Sequence, residues 1–94
     1  MRISIVGITW YKREDYEKLK SLFVDGRILP ESYDDWLQSA EEVVNGFRAQ
    51  GQAFKKVYID PNTFPVWCAS KGLEINANAR SRFSAEQAYK GREI

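Results

Sequence analysis

Between residues 54 and 83 the chain is punctuated so tightly that few folds satisfy it. An extended run ends at Asp60-Pro61. The residue before a proline is pushed out of the helical region, and aspartate supplies turn chemistry. Pro65 fits only the first turn of a helix, because deeper it would lose a backbone bond and clash. The next helix therefore spans about 63–71, carrying Phe64, Trp67 and Cys68. Gly72 and Leu73 supply its stop and apolar clasp. Asn76 caps a last helix over about 77–89, with Ile75, Ala79 and Phe83 on its inner side.

The preceding half obeys the same grammar. Residues 2–10 read as a strand with apolar groups on both faces: Ile3, Ile5, Val6, Ile8 and Trp10. Gly7 interrupts it and marks a bulge or the close approach of another backbone. Tyr16, Leu19, Leu22 and Phe23 share one stripe of a helix over 12–23, which Asp25-Gly26 closes with a left-handed glycine. Ser32 caps a helix over 33–50, with Asp35 three residues on as in a capping box. Trp36, Leu37, Ala40, Val43, Val44 and Phe47 form its buried face, Gly46 allows a close helix contact, and Gly51 ends it. Residues 53–59 form the second strand, and Lys55 and Lys56 within it mark an edge.

The order is β-α-α-β-α-α, an α+β fold in one domain, 1–94. Its two strands pair in parallel through a crossover. One helical layer covers one face of such a sheet. The doubly apolar first strand therefore leads to the expectation of a homodimer, with 2–10 or 53–59 at the contact.

Composition narrows function mainly by exclusion. The chain has 94 residues, no histidine, one cysteine and a formal net charge of +1. Residues 1–13 and 43–94 are net basic, and 14–42 are net acidic. Cys68 has no partner for an internal disulfide and no histidine to activate it; on an apolar stripe it reads as a core residue. Asp34-Asp35 and Glu41-Glu42 lie about 10 Å apart along a helix, too far for one metal shell, and read as a solvated face. Asp60, Asn62 and Thr63 read as satisfiers of loose amides at a helix start. No metal site or other cofactor is expected. The apolar run near residue 5 is too short for a membrane span and lacks a cleavage pattern, so a cytoplasmic location is expected.

Trp10, Tyr11, Lys12 and Arg13 are the most suggestive cluster, since aromatics beside bases stack on nucleobases and hold phosphates. The alternative is a strand end whose aromatics belong to the core. Arg80 and Arg82, with Lys90 and Arg92, add a second basic stretch, although Arg80 and Arg82 diverge by about 200° on a helix. With Lys55 and Lys56, these residues define a candidate interaction surface: Trp10, Tyr11, Lys12, Arg13, Lys55, Lys56, Arg80 and Arg82.

The run Asp60-Pro61-x-x-Phe64-x-x-Trp67-Cys68-x-x-x-Gly72-Leu73, followed by Ala79-Arg80-x-x-Phe83, resembles a block in small bacterial single-domain proteins without an assigned function. Trp10-Tyr11 before an acid-rich helix start is similar to them too. The resemblance spans most of the chain and implies no catalytic residue. The expected role is a binding module acting through self-association and a protein partner. The alternative is an accessory nucleic-acid-binding or regulatory protein using the Trp10 to Arg13 cluster and the C-terminal bases. Catalysis ranks third, because no convergent set of acid, base and nucleophile is visible.

Overall fold

Two short strands meet in parallel and helices close over both of their faces. The structure, a computed structural model, describes residues 4–90; Arg2, Ile3 and Arg92 lie outside the described residues, as does the side chain of Lys90. The elements are β1 (Val6–Trp10), α1 (Arg13–Leu22), a 3₁₀ turn (Gly26–Ile28), α2 (Tyr33–Ala49), β2 (Phe54–Tyr58), α3 (Phe64–Lys71) and α4 (Ala77–Lys90). The fold is α+β, in the order read from the sequence, with the strands in register from Val6 opposite Phe54 to Trp10 opposite Tyr58.

Most of the punctuation acts as its residue types require, but Thr63 at the start of α3 makes no side-chain cap bond, and among the described residues Asp60 alone of that turn supplies a side-chain acceptor. The Asp35 amide donates to the Ser32 hydroxyl at 3.1 Å, and the Ala79 amide donates to the Asn76 side-chain oxygen at 3.1 Å. The Asn62 amide donates to the Asp60 carboxylate at 2.7 Å, closing the turn before α3. Pro65 sits in the first turn of α3. Gly51 and Gly72 take the left-handed conformation, with φ of 70° and 68°.

Gly26 does not. It lies in the 3₁₀ turn, where a Cβ would sit 1.8 Å from the Lys20 carbonyl oxygen, so close packing fixes its identity. α1 ends earlier, at Leu22, with the Phe23 amide bonded to the Leu19 carbonyl. Gly46 is also corrected: open space surrounds it, and no helix packs there. Val43 lies outside the buried face, half exposed.

Alternation along the strands assigns the two faces. Trp10 meets Trp36 of α2 edge-on at 5.1 Å between centroids, and Phe54 stacks with Phe47 at 6.2 Å. The opposite face carries Gly7 and Thr9, on which α4 lies. A Cβ on Gly7 would fall 2.1 Å from the Ser84 carbonyl oxygen, so the glycine is there to admit the α4 backbone. Thr9 and Ser84 share a hydroxyl hydrogen bond of 2.7 Å beneath that contact. The premise of a single helical layer is thus corrected. α2 packs on one face through Trp36 and Phe47, and α4 packs on the other.

The core runs from Trp10, Tyr11, Tyr16 and Trp36 through Phe23 to Phe64, Cys68 and Ala79. Phe64 is fully enclosed, with Trp67 stacked on it at 6.0 Å and Phe83 edge-on at 5.3 Å. Trp67 is half-buried and packs against the core from outside. Cys68 is buried among these groups, and that burial pushes its thiol up from the ordinary value. Among the described residues, every buried side-chain nitrogen or oxygen has a hydrogen-bond partner.

Candidate interaction surface

The chain leaves β1 through two aromatics that are each only 3% exposed. Trp10 turns toward α2. Tyr11 turns into a nest formed with Tyr16, Phe23 and Trp36, at centroid distances of 5.8, 5.9 and 4.7 Å. Tyr33 closes the nest by donating its hydroxyl to the Tyr11 carbonyl at 3.1 Å. Desolvation pushes the Tyr11 phenol up to about 12, the nearby Arg80 guanidinium pulling the other way. Neither Trp10 nor Tyr11 therefore offers a face on which a nucleobase can stack.

Arg80 is interior as well, at 6% exposed. Its guanidinium grips the Asp25 carboxylate in a fork, with bonds of 2.9 and 3.1 Å, and lies 4.3 Å over the Phe23 ring. Asp25 also accepts from the Ala77 amide at 3.1 Å, at the start of α4, where the helix dipole favours an anion. The hydrogen bond from Arg80 holds the Asp25 carboxyl below its usual range, against some desolvation. Arg82 points outward and is exposed, as the angle between the two positions requires. The partnership of Asp25 with Arg80 escaped the sequence reading. Asp25-Gly26 looked like a complete helix stop, and nothing local signals an ion pair across 55 residues.

The remaining bases lie outside. Lys12, Arg13 and Lys55 are exposed. Arg13 pairs with Asp34 at 2.7 Å and sits 4.6 Å over the Tyr33 ring, which joins the start of α1 to the start of α2. Lys56 is half-buried, its ammonium 4.2 Å above the Trp10 ring. The surface drawn from sequence is thus divided: Trp10, Tyr11 and Arg80 are interior, Lys12, Arg13, Lys55 and Arg82 are outside, and Lys56 lies between.

Two further features bear on a contact surface. One is a shallow groove of about 390 Å³ lined by Glu17, Lys20, Ser21, Gly26, Arg27 and Glu31. Its two acids and two bases give it no net sign. The other is the sheet itself. Its order is β1-β2 and nothing more, so among the described residues each strand keeps one edge without a strand beside it. Among the described residues, no group of three or more Cys, Asp and Glu side chains could hold a metal ion. No described helix is long and apolar enough to cross a membrane.

A family model described as a domain of unknown function (DUF8829) matches residues 3–94. No curated protein and no solved structure matches the chain.

Proposed function

The chain belongs to the DUF8829 family, and for it we propose the role of a small binding module that acts by self-association and by docking a protein partner. The observation that carries this reading is the sheet of two strands with both outer edges unpaired among the described residues. An exposed strand edge presents a row of free backbone donors and acceptors, a template for another chain. The helices do not compete for this role, because they are already engaged on the two faces. In this reading the protein works in a reducing bacterial cytoplasm, where Cys68 stays a buried thiol.

Light scattering across a wide concentration range is the test. Twice the chain mass of 10.9 kDa at micromolar concentration is the expected result. A mass of one chain throughout would defeat self-association.

The nucleic-acid reading keeps an electrostatic half through Lys12, Lys55 and Arg82, while Trp10 and Tyr11 are buried and give it no stacking platform. It predicts binding of single-stranded DNA or RNA that weakens steeply with salt. Binding that does not change between low and physiological salt would remove it.

A further inference from the structure

The two edges of the sheet are not equivalent, and the hydrogen-bond pattern shows how they differ. The Val6 amide donates to the Ala53 carbonyl at 3.1 Å, and the Ile59 amide donates to the Trp10 carbonyl at 3.0 Å. In a parallel ladder, alternate residues turn both backbone groups toward the neighbouring strand. Val6, Ile8 and Trp10 therefore face β2, and the amides and carbonyls of Gly7 and Thr9 face outward. On β2 the outward set is Phe54, Lys56 and Tyr58. β1 carries no charge and no proline between Val6 and Trp10, whereas β2 carries Lys55 and Lys56. Lysines on an edge strand discourage pairing, and like charges brought opposite each other repel.

We propose that two copies of the chain meet at the outer edge of β1. The two β1 strands pair antiparallel, with Gly7 opposite Thr9 of the second copy and Ile8 opposite its own equivalent. The arrangement is self-complementary, as a two-fold contact must be. Gly7 and Thr9 exchange both of their bonds in each direction, and the product is a four-stranded sheet in the order β2-β1-β1-β2. This inference rests on the self-association reading above and names its site.

The helix over β1 fits such a contact. Phe83 of α4 is turned toward Phe64 and Trp67 of α3, and Ser84 and Ala88 press on Gly7. At about 100° per residue, Ser81 and Ala85 fall on the flank of α4 turned away from α3, beside the free edge. Both are exposed and small. When two β1 strands pair, the two α4 helices must run close beside each other over them. Small side chains on that flank leave the room.

The test is site-directed cross-linking in a Cys68→Ala background, with Ile8→Cys in one variant and Lys55→Cys in another. Directly opposed residues of a non-hydrogen-bonded antiparallel pair lie about 4.5 Å apart at Cα, within disulfide range. Mild oxidation is expected to convert most of the Ile8→Cys protein to a covalent dimer and to leave the Lys55→Cys protein uncross-linked. In the unmodified chain, the Gly7 and Thr9 amides are expected to exchange at least about tenfold more slowly at high protein concentration than at low. That readout decides the matter even when the Ile8→Cys variant does not fold. A dimeric mass with cross-linking at Lys55→Cys alone, or with Gly7 and Thr9 exchange independent of concentration, overturns the β1 edge and leaves self-association standing. A monomeric mass at every concentration overturns both.

Discussion

Arg80 shows how one residue can be read correctly as a type and differently as a role. A guanidinium in a basic C-terminal half suggests a surface that meets anions, yet this one is satisfied within the molecule by Asp25 and the Phe23 ring. Taking one partner away from a buried pair leaves the other charge uncompensated, so Asp25→Asn is expected to destabilise the fold by about 3 kcal/mol near neutral pH. The native carboxyl is held below its usual value, so its contribution is complete above the unfolded value near ~4 and is lost as pH falls through the native value. The gap between wild type and Asp25→Asn should therefore be widest at neutral pH and narrow below about pH 4. Urea unfolding of both proteins at a series of acid pH values measures it. A gap that stays constant down to the acid limit would show that the charge of Asp25 does not matter.

Among the elements, those with residue-level punctuation were the legible ones. Ser32, Gly51, Asp60-Pro61, Pro65, Gly72 and Asn76 each act locally, through a turn, a cap or a fixed φ, and local chemistry is written in the sequence. The parallel pairing was legible as well, because two strands separated by helices admit little else. What escaped the reading was decided by contacts distant along the chain. Residue type allows Trp10 and Tyr11 a surface or a core, and α1 and α2 decide for the core by closing the aromatic nest around them. Gly26 answers to the Lys20 carbonyl, and the layer that α4 lays on β1 depends on Gly7 lacking a Cβ. Since the obstructing atoms at Gly7 are backbone, Gly7→Ala must lift α4 from the sheet at Ser84. The expected loss is about 3 kcal/mol, at the upper end of ordinary overpacking. The Thr9 to Ser84 hydroxyl bond should break with it. Urea midpoints, together with amide shifts for Ser84 and Ala88, report both effects. An unchanged midpoint would mean that the helix rides higher than the 2.1 Å approach implies.

For the molecule as a whole, the aromatic nest sets an alkaline limit on stability. Burial raises the Tyr11 phenol to about 12, and it raises Tyr16 and Tyr33 as well. Two of these hydroxyls donate to backbone carbonyls, Tyr16 to Pro30 and Tyr33 to Tyr11, bonds that a phenolate cannot make. In the unfolded chain a tyrosine ionises near ~10. Between that value and the native one, the unfolded state binds fewer protons than the folded state, so stability falls as pH rises. The slope is about 1.4 kcal/mol per pH unit for each such group, and Tyr11 alone accounts for about 2–3 kcal/mol by pH 12. A domain this small has a total stability on the order of 5–10 kcal/mol, so the loss from Tyr11 is a substantial share of it, and the other raised phenols add to that loss as the pH climbs toward an alkaline unfolding transition. Ellipticity and tyrosinate absorbance at 295 nm should change together, as the nest opens and its phenols ionise in one step. Tyr11→Phe should move the transition to higher pH by removing the group with the largest shift. Tyrosinate absorbance that rises to completion while the ellipticity stays native would show the nest to be open to solvent, and the buried placement of Tyr11 would then be wrong.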